Sequence, residues 1–316
     1  MNNKFGSLSL SLIGLCSPLL LASAPALALD WAAAPVKEVP MFYAGQTGME
    51  WMYDKKAHDG AARFEKRGMH CLECHTGDEK KFGPNQVGGK TDTDPFPGRT
   101  PFVNARVQAA FDAGNFYLRV QVPKTAAGGK VMDSKYLQKL TVMLDDGGVP
   151  EFAQGGCWAV CHQDSTAMPE AAGREITKYL AGSRKEIQKR IGGGTDFVAD
   201  GDLAGLMAKG YFLEYWQARF NTAADVSAID GIILKDRQTN DSALVTAQVT
   251  DSGADWVVDF SRPLAADANH KALAPGKQYN IGLALHDQSS NGRFHIVSFE
   301  YSLTLGGDGN INAVKQ

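Results

Sequence analysis

Phe102-Val-Asn-Ala-Arg-Val-Gln-Ala-Ala-Phe-Asp-Ala-Gly-Asn-Phe-Tyr-Leu-Arg-Val-Gln-Val122 alternates apolar and polar side chains on both sides of a Gly-Asn turn. Val103, Ala105, Val107 and Ala109 share one face before the turn, and the run from Phe116 to Val122 repeats the alternation after it. A period of two is what a strand needs to bury one side. Leu140-Thr-Val-Met-Leu144, ending at Asp-Asp-Gly-Gly, reads the same way, as do residues 211–220, 232–234, 243–249, 256–260, 279–286 and 294–305. Gly, Asn, Asp or Pro separate most of them. Many short strands joined by polar turns predict a β-sandwich.

Upstream the pattern changes. Residues 50–67 are rich in helix formers apart from Gly60. Residues 83–101 then hold Pro84, Gly88, Gly89, Pro95, Pro97, Gly98 and Pro101, which argue against a helix or a central strand. The reading is a leader over 1–28, a small helical module over 29–98 and a β-sandwich over 99–316, mainly β with some α. One helix is expected within the sandwich at 170–191, where Ile176, Tyr179, Leu180, Ile187 and Ile191 form an apolar stripe. Its other face carries Arg174, Lys178, Arg184, Lys185, Lys189 and Arg190. That face is either an ordinary solvated surface or a basic one for an acidic redox partner or haem propionates.

The chemistry lies in two cysteine strings. Cys71-Leu-Glu-Cys-His75 is the C-x-x-C-H pattern of covalent c-type haem attachment. Cys157-Trp-Ala-Val-Cys-His162 repeats it with one more residue between the cysteines. Thiols at this spacing form thioethers with the haem vinyl groups, and the following histidine meets iron from one face. The alternatives are two short disulfides or a zinc site, neither of which requires a histidine after each pair. The chain has five cysteines, and the four outside the leader all fall in these strings. Two covalent haems are therefore expected, attached at Cys71, Cys74, Cys157 and Cys161, with His75 and His162 on iron.

Lys4, the apolar run from Leu8 to Leu21 and Ala26-Leu-Ala28 fit a secretory signal cleaved near Ala28, which places the mature protein in the periplasm. Cys16 follows Leu12-Ile-Gly-Leu15, so a lipid anchor stands beside the plain signal reading, although Leu15 replaces the usual small residue. After the leader no apolar run reaches the roughly 20 residues of a membrane helix. Losing the leader removes Lys4 alone among charged residues and takes the formal charge from -3 to -4. Nucleic acid is a poor partner for such a surface.

Seven histidines occur, and five remain for the distal positions. His58 is expected on a helix that lies across the first haem. His70 is pinned beside Cys71 and badly placed for the opposite face of its own iron. For the second haem the candidates are His295, His286 and Met168. Alternation over 294–305 puts His295 on one face with Val297, Phe299, Tyr301, Leu303 and Leu305, and a buried imidazole needs a partner such as iron or a hydrogen bond. His270 reads as part of a solvent loop.

The strings Met41-Phe-Tyr-Ala-Gly-Gln-Thr47, Gly155-Gly-Cys-Trp-Ala-Val-Cys-His162, Trp256-Val-Val-Asp-Phe-Ser-Arg-Pro-Leu264 and Arg293-Phe-His-Ile-Val-Ser298 together resemble periplasmic dihaem cytochromes of the cytochrome c-552 type. Residues 100–306 are also similar to the haem-binding gamma subunits of ethylbenzene dehydrogenase and related molybdenum enzymes. That second resemblance implies a β-sandwich holding haem between a mid-chain loop and the last strands, with Met and Lys as axial ligands. This chain departs from it in carrying His295 where the lysine would stand. The resemblance implies an electron carrier linking a quinol-oxidising membrane cytochrome or other donor to a periplasmic reductase. The alternative is a haem enzyme, a peroxidase or small-molecule reductase, with one open iron.

Overall fold

The protein was analysed as a computed structural model that describes residues 29–45, 52–56, 58–90, 97–125, 135–160, 180–185, 197–288 and 295–316, together with the backbone at 162–163 and 177–178. The alternating segments form the frame: β2 (Phe102–Phe111), β3 (Asn115–Pro123), β4 (Gln138–Asp145), β7 (Leu213–Thr222), β8 (Asp225–Ile233), β9 (Arg237–Thr239), β10 (Thr246–Asp251), β11 (Asp255–Pro263) and β12 (Gln278–His286). The chain closes with β13 (Ile296–Ser298), β14 (Tyr301–Leu305) and β15 (Ile311–Lys315), and an early strand, β1 (Lys37–Tyr43), joins them. Together they make one 13-stranded, mostly antiparallel sheet. A separate ribbon pairs β5 (His162–Gln163) with β6 (Thr177–Lys178).

The sheet curls so that its two halves face each other as the layers of a sandwich. Trp216 on β7 meets Phe116 on β3 and Phe260 on β11 at ring-centre distances of 5.9 and 6.2 Å. Val103, Ala105, Val107 and Ala109 all point into this core, as their alternation requires.

Strand β1 is where sequence reading fell short. It runs antiparallel between β2 and β13, with Met41 opposite both Val103 and Ser298. Pro40 disguises it, because proline has no N–H for a ladder. Pairing with β13 begins only at Met41, one residue past that proline. The other end of the same slot is filled by β15, which runs parallel to both β14 and β2.

Helices cover the outer face of the sheet: α1 (Ala61–Arg67), α2 (Cys71–His75), α3 (Glu79–Val87) and α4 (Pro150–Val160), with α5 (Asp200–Ala208) further along. Phe64, Cys71, Phe152, Cys157, Trp158, Ala284, Val297 and Phe299 share one buried cluster on that face. The helical segment before residue 98 and the strands after it thus share both a sheet and a core.

Several expectations are corrected. The helix expected over 50–67 is confined among the described residues to Ala61–Arg67 and a short turn at Met52 and Tyr53. His58 precedes α1, in a turn where its N–H donates to Asp54 O at 2.8 Å. Conversely, α3 continues through Gly83 and Pro84, and Gly83 packs so closely on Pro101 that a Cβ would meet its carbonyl oxygen at 1.7 Å. The helix expected over 170–191 lies mostly outside the described residues; within it, Thr177–Lys178 is a strand and Ala181–Ser183 a 3-10 turn.

Candidate functional site

The C-x-x-C-H string is itself a turn of helix, α2, with Cys71 buried and Cys74 exposed. Alpha1 leads into it and ends at Gly68, whose left-handed φ of 63° lets its N–H reach Arg63 O. Gln154 of α4 reaches across to this turn, donating to Phe64 O at 2.9 Å and to Met69 O at 3.2 Å. A cavity of about 200 Å³ opens here, lined by His58, Phe64, Met69, Cys71, Cys74 and His75 among others.

Within it His58 and His75 stand with ring centres 6.2 Å apart and planes inclined by 31°. Two imidazoles this close could hold one metal ion between them. The Nδ1 of His58 donates to Met52 O at 3.0 Å, and the Nδ1 of His75 faces Asp78 Oδ2 at 3.4 Å. Holding Nδ1 as the proton carrier leaves Nε2 as the ligand atom, the arrangement usual for metal-bound histidine. Asp78 is itself held below the usual carboxylate range by bonds from Lys81 and His75. The absence of a side chain at Gly60 makes room, since a Cβ would approach His58 Nε2 to 2.8 Å.

The sulfur of Cys71 also fits haem attachment. Burial, with Glu300 and Cys74 adding to it, pushes the thiol pKa well above its usual value. Such a site favours a neutral sulfur, as in a thioether, over the thiolate that zinc requires. Among the described residues no three of His, Cys, Asp and Glu converge as a metal site.

The second string sits on α4. Asp145 receives the N–H groups of Gly147, Gly148 and Val149 and so fixes the start of the helix. Gly156 then kinks it, with φ 59° and ψ -148°, a conformation essentially restricted to glycine. A Cβ at Gly156 would lie 2.4 Å from the Phe299 carbonyl carbon. Cys157 is buried on Gly282 of β12, where a Cβ would come within 3.0 Å of its sulfur. Cys161 and Met168 lie outside the described residues, and of His162 the backbone alone is described.

His295 and His286 stack at 4.4 Å with planes 15° apart. That spacing is too short for iron between them, so this pair can offer one face to a metal. The expected face of His295 needs correction. The final strand is interrupted at Phe299 and Glu300, so Tyr301, Leu303 and Leu305 enter the sandwich core whereas Val297 and Phe299 enter the outer cluster. By alternation with Val297, His295 turns to the side that carries α4 and Cys157.

His70 contributes to the cavity wall, with Nδ1 3.9 Å from Glu300 Oε1. His270 is not in a solvent loop. It is buried between Asp230 at 3.4 Å and Asp267 at 2.6 Å, and although burial works against its charge, these carboxylates lift its pKa to about 9. Asp267, three residues earlier, was a visible hint of this; Asp230 gave none.

The chain matches no model of a known protein family. Among solved structures, two structures of a family 9 carbohydrate-binding module from Caldicellulosiruptor kristjanssonii, with glucose and with cellotriose, share 9% and 8% identity. They cover 63% and 67% of this chain, and it covers 66% and 75% of theirs, at TM-scores of 0.28 and 0.29, too slight to bear on ligand or fold. Whole-chain relatives are more informative. Cytochrome c-551 of Rhodocyclus tenuis is 28% identical across 91% of this chain and 99% of its own length. Cytochrome c-552 of Stutzerimonas stutzeri is 37% identical across 94% of this chain and 93% of its own. With that identity sustained almost end to end, and a C-x-x-C-H helix whose histidine faces a second imidazole, the chain belongs to the cytochrome c-552 family of c-type cytochromes.

Proposed function

We propose that this protein is a periplasmic dihaem carrier of single electrons between a quinol-oxidising membrane cytochrome or other donor and a terminal reductase. The observation that carries the reading is the His58–His75 pair, two imidazoles side by side at the C-x-x-C-H helix with both Nδ1 atoms engaged. Two protein ligands on an iron leave no position for a substrate, which favours electron transfer over a haem enzyme. The first haem would be tethered by Cys71 and Cys74 and held by His75 and His58. The second would be tethered by Cys157 and Cys161 and held by His162, with His295 as distal ligand ahead of His286 and Met168.

Haem supplies the one-electron couple; the protein's part is to fix the imidazoles, exclude water and keep the sulfurs neutral. Among the described residues no helix is long and apolar enough to cross a membrane. The leader of residues 1–28 supports the periplasmic location. Kinship of residues 100–306 with the gamma subunits of ethylbenzene dehydrogenase belongs to the same reading and is supported by the short strings alone.

Intact mass and a pyridine haemochrome assay on the matured protein test this reading. Two haems per chain and a low-spin ferric spectrum are expected; one haem, or a dominant high-spin spectrum, would refute it.

A further inference from the structure

Glu300 is an acid placed where a charge is costly. It lies in the break between β13 and β14, and its side chain is 8% exposed. Oε1 accepts the N–H of Leu72, inside the C-x-x-C loop, at 3.0 Å, whereas Oε2 is buried and receives no hydrogen bond among the described residues. A carboxylate offers about four acceptor sites, so a single donor leaves the ionised form poorly served. The charged groups around it point the same way. Glu73 of α2 and Glu79 of α3 oppose its charge, Tyr301 beside it is buried, and the cation of Lys37 on β1 lies over the Tyr301 ring at 5.7 Å. Burial first, then Glu73 and Glu79, lift the Glu300 pKa to about 8. His70, half-exposed on the cavity wall, brings Nδ1 to 3.9 Å from Oε1 and gives the acid a neighbour in contact with solvent. The charge of Glu300 also reaches the attachment helix, where after burial it is the next cause of the raised Cys71 thiol pKa.

We propose that Glu300 is the proton-accepting partner of the first haem, binding a proton when an electron arrives there and releasing it when the electron leaves. The inference rests on the reading that Cys71, Cys74, His75 and His58 hold that haem. On reduction Glu300 gains an O–H bond, with a proton from bulk water, as one electron from the donor protein converts ferric iron to ferrous. Oxidation reverses both transfers, and no other bond forms or breaks. A negative carboxylate and an added electron repel each other across a poorly screened zone. The coupling is reciprocal: protonation of Glu300 favours reduction by the same factor by which reduction favours protonation.

The test is a spectroelectrochemical titration of the full-length holoprotein across the range from about pH 6 to about pH 9. A midpoint that falls with rising pH is expected, by up to tenfold in the reduction equilibrium per pH unit, about 59 mV for one electron. Glu300→Gln should flatten that slope, and Glu300→Asp, which keeps an acid, should retain it. Reduced-minus-oxidised infrared spectra of the wild type should show a protonated-carboxyl band, and its absence would overturn the proposal even if the variants fail to fold. Flat midpoints in the wild type, or an unchanged slope in Glu300→Gln, would overturn the coupling and leave the haem reading standing. A digest with no haem on the peptide containing Cys71 and Cys74 would overturn both, so mass analysis of that peptide separates the two failures.

Discussion

Around Cys71–His75 both facing imidazoles come from one short stretch of chain, and each has its Nδ1 engaged by a neighbour. Around Cys157 the sulfur is pressed onto a distant strand, and the nearby imidazoles, His286 and His295, belong to β12 and the loop before β13. The imidazole pair of the first site is set by local turns, whereas the second draws its candidate ligands from segments far apart in the chain and depends more on the whole fold. The second site should therefore be the more sensitive to anything that loosens packing.

Removing an imidazole is the largest expected change. His58→Ala should turn one haem from low-spin to high-spin in the ferric absorption spectrum, and His295→Ala should do so for the other. Retention of the low-spin spectrum in His58→Ala would place the distal ligand elsewhere. Next comes Gly156→Ala, which forces a side chain into a positive-φ conformation that only glycine adopts readily and against the Phe299 backbone. A loss of about 3 kcal/mol or more in urea unfolding is expected, with the low-spin spectrum lost at the second haem before the first. Simultaneous loss of the low-spin spectrum at both haems would erase the contrast between the sites.

A pH effect follows, smaller and remote from both. Charged His270 has a folded pKa of about 9 against an ordinary 6.5, so its contribution is complete below about 6.5 and disappears as pH rises through 9. Stability should fall by up to about 3 kcal/mol over that window, with His270→Gln flattening the curve. Burial raises Glu300 to about 8, and a raised acid likewise weakens the fold as pH rises, between about 4.5 and 8. Its effect should begin at lower pH than that of His270, which stability curves of the two Gln variants would separate. Smallest is Gln154→Ala, which removes two hydrogen bonds between α4 and the turn before α2. About 1–2 kcal/mol is expected, read from urea unfolding.

The strands and both cysteine strings were legible because each depends on spacing along the chain. Phe102–Phe111 and Asn115–Pro123 match the alternation closely. That His58 would lie close to His75 was legible, although the helix expected to carry it was not, since Gly60 confines α1 to the residues after it. Segments whose state is set by contact were not legible. Strand β1 contains a proline, β8 opens with exposed and half-buried positions, and the buried partner of His270 is forty residues away on another strand. The break at Phe299 was hidden because the sequence alternates straight through it. Its cause is tertiary: a kinked helix rests on the backbone there.

The slot shared by β1 and β15 carries a consequence for biogenesis. Its two occupants come from opposite ends of the polypeptide, so the central rungs of the sheet must wait for the last strand, and pairings at such long range are slow to form. On the dihaem proposal, late closure of the sheet would keep Cys157, buried in the finished fold, within reach for haem attachment while the C-terminal residues are still arriving.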